Sequence, residues 1–322
     1  MKRFKNILYV ADSSGIVLKA FHHAVDLAVR NDARLTVILV MERIPPYLTR
    51  LTPYLLQQAR IEELEAALDK LIEWAASRMK IEAKIVEGKP FLEIVRDVLR
   101  NERDLVIKST DHGDGAMDWL FTSTDMHLLR KCPCPVWLIK ASEPAPIRRI
   151  LACVDFNDPD SPDAATAETL NRMILEMAGA LADVQGSECH IVHAWEAIGE
   201  QIMRSGHTAI DDEQTEAYIE QVRREHQGWL DRLLSQMRRW IGAETYDAVT
   251  PKTHMPKGNP SKVIPALARD LNIDLVVMGT VARTGVPGFL IGNTAESVLN
   301  RIRCSVLAVK PPDFVTPVSL ED

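Results

Sequence analysis

Short runs that are apolar almost throughout alternate with longer amphipathic stretches, and the alternation occurs twice along the chain. The first set of runs is 7–11, 35–40, 83–86, 104–108 and 136–140; the second is 150–154, 190–194, around 248–254, 275–279 and 306–310. Unbroken apolarity over so few residues marks strands buried on both faces of a parallel sheet. Between the runs, Leu64, Leu68, Leu71 and Ala75 recur at helical spacing within 60–80, and Tyr218, Val222, Trp229, Leu233, Met237 and Trp240 do so later. Asp211 with Gln214 has the spacing of a capping box at the start of that second helix. Strand–helix alternation of this kind predicts open, doubly wound α/β sheets with right-handed crossovers.

The two sets are copies. DLVIKSTD at 104–111 returns as DLVVMGTV at 274–281, 170 positions later. Gly88-Lys89-Pro90 answers Gly258-Asn259-Pro260, Cys134-Pro135-Val136 answers Cys304-Ser305-Val306, and Lys140 answers Lys310. At the front, the run ending in Asp12 answers the run ending in Asp155. This period is that of a whole domain, too long for a solenoid unit. The expected domains are 1–141 and 147–322, joined by the proline-bearing stretch ASEPAPIR. The second copy carries extra residues at 157–187, and a polar tail at 311–322 is expected on the surface.

Composition narrows the function classes. A chain of 322 residues, 46% hydrophobic and 26% charged, can bury two cores. A net charge of −7 argues against direct nucleic-acid binding, because Arg148-Arg149, Arg223-Arg224 and Arg238-Arg239 are isolated pairs. Five cysteines without a Cys-x-x-Cys suit reduced thiols and a cytoplasmic location. The opening MKRFKNILYV reads as a first strand, not a signal peptide, and no run has the length of a membrane span. Cys132-Pro133-Cys134 leads into an apolar strand, so burial is preferred over redox activity.

Catalytic signatures are missing. There is no Gly-x-Ser-x-Gly elbow, no Walker-type phosphate loop and no recognisable acid/base pair of carboxylates, so no catalytic residue is assigned. His190 and His193 would point to opposite faces of a strand, so no metal site is assigned. His22-His23 is placed on a helix surface.

One loop carries chemistry. Gly279 ends a strand, Gly285 follows, and Gly292-Asn293-Thr294 precedes a helical stretch at 295–301. Glycines before a helix start expose backbone N–H groups and a positive dipole end, which suits phosphate. The same residues also satisfy a plain turn with an Asn293–Glu296 capping box. Spacing alone leaves both readings open.

The loop resembles the G-2x-G-9x-G-(S/T) signature of the universal stress protein family, with Gly279, Ala282, Gly292 and Asn293 at the matching positions. The ILACVD opening, the Cys304–Leu307 ending and the phrases GTVARTG…GNTAESV and TSTDMHLLRKCPCPVWLIK extend the resemblance, to the tandem E type, over nearly the whole chain. It implies the adenine nucleotide alpha hydrolase-like α/β fold: two tandem doubly wound five-stranded parallel sheets in the order 3-2-1-4-5, arranged as an intramolecular pseudo-dimer. By that resemblance Asp155 would face an adenosine. Gly279, Ala282, Gly292 and Asn293 would line its phosphates, with Arg283 and Thr294 beside them. The implied cofactor is ATP or another adenine nucleotide, with magnesium only as its counter-ion.

Two positions depart from the signature: Ala282 replaces a glycine, and Asn293 replaces the Ser or Thr. The first copy has Ser109, His112, Thr122 and Ser123 at the matching positions and none of the three glycines, although Asp12 remains. It is expected to hold no nucleotide. Gly113 and Gly115 are read as turn residues.

The implied role is non-catalytic stress survival during growth arrest, oxidative insult or DNA damage. It would act through ligand-dependent binding of an unidentified protein partner, by a chain that pairs internally and could further form a homodimer. Two other classes remain as alternatives: a carrier of an apolar, lipid-like molecule, and a slow ATP hydrolase. The apolar segment 44–57, IPPYLTRLTPYLLQ, is read first as a helix packed on its own half and second as a lid or docking surface.

Overall fold

The computed structural model describes residues 3–11, 18–42, 53–110, 121–140, 146–156, 164–205, 211–280 and 291–320. In the first repeat the elements run β1 (Asn6–Ala11), α1 (Leu18–Asn31), β2 (Arg34–Met41), α2 (Pro53–Ala75), β3 (Glu82–Glu87), α3 (Pro90–Asn101), β4 (Leu105–Ser109), α4 (Ser123–Lys131) and β5 (Val136–Ile139). The second runs β6 (Arg149–Cys153), α5 (Ala164–Gln185), β7 (Glu188–Val192), α6 (Glu200–Arg204), α7 (Asp212–Ile241), α8 (Ala243–Val249), β8 (Lys252–His254), α9 (Pro260–Asp270), β9 (Leu275–Gly279), α10 (Asn293–Leu299) and β10 (Ser305–Val309).

These elements gather into two compact units. The first holds the described part of the first repeat together with Thr280, Ile291, Gly292 and residues 303–320; the second holds the rest of the second repeat.

In the first unit the sheet runs β3-β2-β1-β4-β5-β10. Strands β1 to β5 are mutually parallel in the expected 3-2-1-4-5 order. Every residue of β1, β4 and β5 is buried, as a sheet with both faces covered requires. Phe21 of α1 meets Trp74 of α2 with ring centroids 5.7 Å apart. Helix α3 begins on Pro90 and stops at Glu102, which takes a left-handed φ of 51°.

The last strand of the second repeat joins this sheet. β10 pairs antiparallel with β5, with Val306 against Leu138, Leu307 against Trp137, and Ala308 against Val136. Trp137 and Leu307 are equivalent positions of the two repeats, so the register is symmetric about that pair. The Lys140 N–H donates to Ser305 Oγ at 2.9 Å beside it. The polar tail lies against α3, where Arg96 Nε donates to Ser319 O at 3.2 Å and Arg100 to Leu320 O at 3.4 Å.

At the amino ends of the strands a buried polar network closes the unit. Arg103 donates to Asp97, Asn6 and Thr36 at 3.0, 2.7 and 2.8 Å, and Lys84 also pairs with Asp97.

The second unit carries the parallel order β9-β6-β7-β8. Helix α5 packs on β6, β7 and β9, and helices α7 and α8 pack on α5. Gly179 permits that approach, since a Cβ there would come within 3.1 Å of Ile241. The expected Asp211–Gln214 capping box opens α7, with both reciprocal bonds formed.

Three local expectations shift. Strand β7 begins two residues earlier than the apolar run 190–194 suggests, so His193 and Ala194 follow the strand. Residues 248–249 end helix α8, because the chain turns only at Thr250, with φ of 44°; the strand then starts at Lys252. His23 is buried, not superficial, since it shares the inner face of α1 with Ala20 and Leu27 and its ring lies 6.2 Å from that of Trp137.

Candidate functional site

Strands β6 and β9 lie side by side in the second unit, with Cys153 next to Met278. Chain order runs one way from β6 through β7 to β8 and the other way to β9, which makes the β6/β9 boundary the topological switch point. Asp155 and Gly279 leave the sheet at that boundary, from the carboxyl ends of adjacent strands. Asp155 is exposed, and its backbone is clamped: its N–H donates to Asn171 Oδ1 at 3.0 Å, and Asn171 Nδ2 donates to its carbonyl at 2.7 Å. Asn171 is buried on α5, so the helix fixes the direction in which the chain leaves β6.

Gly279 has a packing reason of its own. A Cβ at this position would sit 2.4 Å from Leu170 Cδ2 and 3.1 Å from its Cγ. The glycine therefore lets α5 approach β9 closely, whatever else it serves. The Gly292 N–H donates to Thr280 O at 3.2 Å. Helix α10 starts at Asn293, one residue earlier than an Asn293 cap requires, which puts Gly292 at the cap. Asn293 and Thr294 are exposed in its first turn. Ala282, Arg283 and Gly285 lie outside the described residues, as do Asp12, His112, Gly113, Gly115 and residues 44–52 of the apolar segment.

Around the ends of β6 and β7 stands a ring cluster that sequence reading did not find. Phe156, one residue after Asp155, meets His226 at 5.1 Å and Trp229 at 5.4 Å between centroids, both edge-on. His193 Nε2 lies 2.7 Å from His226 Nδ1, so one imidazole donates to the other. Burial, and then His226, push the His193 pKa down to about 4; burial also lowers His226. This pair is neutral at ordinary pH. His190, on the opposite face, pairs with His254 at 2.9 Å, so the two histidines do diverge as their spacing predicts. The helical spacing of Trp229 was visible, but its ring partners Phe156 and His193 come from separate segments.

The first unit answers the same position differently. Lys108 on β4 places Nζ 3.0 Å from Asp125 Oδ1, and both side chains are buried. Lys108 also donates to Ser109 O at 2.8 Å. Asp125 is the third residue of α4 and completes a capping box with Thr122: its Oδ2 accepts from the Thr122 N–H at 2.9 Å, and its own N–H donates to Thr122 Oγ1 at 3.0 Å. A carboxylate of the chain itself thus occupies the start of α4, neutralised by a buried ammonium. The equivalent residues of the second repeat are Met278 and Ala295, which can form no such pair. Aligning the repeats against each other exposes this exchange; reading either half alone does not.

Among the described residues no group of three or more His, Cys, Asp or Glu side chains is placed to hold a metal. No helix there is long and apolar enough to cross a membrane.

Duplicated β/α units with parallel strands in the doubly wound order define a tandem α/β protein. Residues 3–140 and 146–310 each match the universal stress protein family, and the chain belongs to that family. It is 30% identical over 331 residues to universal stress protein E of Salmonella typhi, covering 100% of this chain and 99% of the relative. The Haemophilus influenzae universal stress protein E homolog is 27% identical, covering 96% and 98%. Among solved structures, a functionally unknown protein from Pseudomonas aeruginosa aligns with a TM-score of 0.66 at 23% identity, covering 97% and 95%. A universal stress protein from Archaeoglobus fulgidus aligns with a TM-score of 0.62 at 19% identity, covering 94% and 98%. These two likenesses concern the fold.

Proposed function

We propose that this chain is a non-catalytic stress protein whose second repeat binds an adenine nucleotide at the β6/β9 switch point, while its first repeat is a silent partner. The observation that carries the reading is Asp155, exposed at the carboxyl end of β6 on a backbone clamped by Asn171. A carboxylate repels phosphate but accepts from hydroxyls, so Asp155 suits the sugar end of a nucleotide. The exposed first turn of α10, with Asn293 and Thr294, suits the phosphate end, and Arg283 belongs to the same loop in sequence. The rings of Phe156 and Trp229 supply apolar faces close to Asp155. Occupancy of this site would alter the surface offered to a protein partner during stress.

Lys108 and Asp125 support the silence of the first repeat, since an internal ion pair stands where a ligand anion would go. The test is isothermal titration of ligand-stripped protein with ATP and magnesium. One site per chain is expected. Asp155→Ala and Gly292→Val should each abolish it. Two equivalent sites, or binding indifferent to both substitutions, would overturn the assignment.

A further inference from the structure

A pair of thiols in the first unit is used by none of this. Cys132 caps the carboxyl end of α4, and Cys134 stands two residues on, just before β5. Both are buried, and their sulfurs are 3.6 Å apart, in hydrogen-bond contact. The backbone on either side is fixed: the Cys132 N–H donates to Leu128 O at 2.9 Å, and the Val106 N–H to Pro135 O at 3.0 Å. The sulfurs need to approach by about 1.5 Å to reach disulfide length.

A buried cation attends them. Lys310, at the end of β10, donates from Nζ to Leu129 O at 2.5 Å and to Thr280 Oγ1 at 3.0 Å, and lies 4.8 Å from the Phe314 ring centroid. It is 3% exposed. The second repeat has Ile302 where the first has Cys132, so only the first carries the pair.

We propose that Cys132 and Cys134 form a redox modification site, a dithiol that small hydroperoxides convert to an intramolecular disulfide. The Cys132 thiolate attacks the peroxide O–O bond, becomes a sulfenic acid and releases an alcohol, or water from hydrogen peroxide. Cys134 then attacks that sulfur, the S–S bond forms, and the sulfenic oxygen leaves as water with the thiol protons. Two thiols lose two electrons, and one peroxide gains them. Cys132 is the attacking sulfur. Burial pushes its thiol up, but the hydrogen bonds from the Cys134 side chain and backbone, with the Lys310 charge, outweigh that and bring it down. Burial and the neighbouring sulfur hold Cys134 well above the usual thiol range, as its S–H donor.

Trypsin cuts after Lys131 and Lys140, so one peptide holds both cysteines and no other. The full chain is treated with hydrogen peroxide, quenched in acid, alkylated after denaturation and digested. The expected peptide is lighter than its reduced form by two hydrogens, unalkylated, and restored by dithiothreitol. In Cys134→Ser, Cys132 should be trapped by dimedone as the sulfenic acid. In Lys310→Met, disulfide formation should be slower than in the parent chain, because the charge that favours the Cys132 thiolate is gone. The proposal is overturned if this peptide stays doubly alkylated while Cys153 or Cys304 oxidises, or if the cysteines cross-link between chains.

Discussion

Replacing Asp125 by Ala strands the Lys108 ammonium in the interior of the first unit, and the size of that effect tests the reading of the silent repeat. Breaking a buried ion pair from one side costs about 3–5 kcal/mol. Loss of the carboxylate's bond to the Thr122 N–H adds about 1 kcal/mol as a lost cap. Lys108→Met leaves the carboxylate buried instead and should cost a similar amount. The double substitution Lys108→Met/Asp125→Ala installs the second repeat's own residues and strands nothing, so only the cap is lost, about 1 kcal/mol. On these figures the singles together cost about 7 kcal/mol or more and the double about 1, so the two sites should couple by roughly 6 kcal/mol in a double-mutant cycle. Hydrogen exchange of amides in α4 and β4 across a urea series reads the first unit alone, since a chain of two units does not unfold in one step. If the double variant loses as much as the two singles together, the ion pair is not what seals this position.

Other outcomes follow from neighbouring features. Gly279→Ala should destabilise the second unit by about 1–3 kcal/mol through overpacking against Leu170, and Leu170→Ala in the same chain should recover most of it, as read from urea midpoints. A neutral Gly279→Ala that only loses nucleotide would assign the glycine to the ligand instead. Because His193 titrates at about 4 folded and near 6.5 unfolded, the unfolded chain binds more protons between those values. Its contribution is complete above pH 6.5 and lost as pH falls to about 4, on the order of 3 kcal/mol; His193→Gln should flatten that part of a stability–pH curve. Asn171→Ala should weaken nucleotide affinity while leaving the Asp155 carboxylate in place, checked by the same titration as Asp155→Ala.

The repeat and the periodicities carried most of the fold. The strands among the described residues fall within a few residues of the apolar runs, most closely in β1, β4 and β5, where every position is buried. Misplacements arose where tertiary contact decides. His23 is polar by type but lies on an inner helical face, and β8 is shortened because α8 extends through Val249. The site was legible only in outline. Asp155 could be placed at a strand end, but Asn171, which aims it, comes from mid-helix with no local signal. The packing role of Gly279 could not be read from neighbouring letters, because Leu170 reaches it from α5. A lysine ending an apolar run, as Lys108 does, passes for a side chain reaching solvent until Asp125 is found beside it.

The symmetric β5–β10 register has an evolutionary meaning. When two separate copies of one chain pair across such an axis, every substitution appears in both, and neither can be sealed without sealing the other. Here the partner strand arrives on the same polypeptide at a high effective concentration, so pairing does not depend on how much protein is present. The two halves are thereby released from having to match. One can keep a scaffold duty, with a Lys–Asp pair where its sibling has Met and Ala, while the sibling drifts toward a different ligand. Fusion turns a symmetric assembly into one whose halves can specialise.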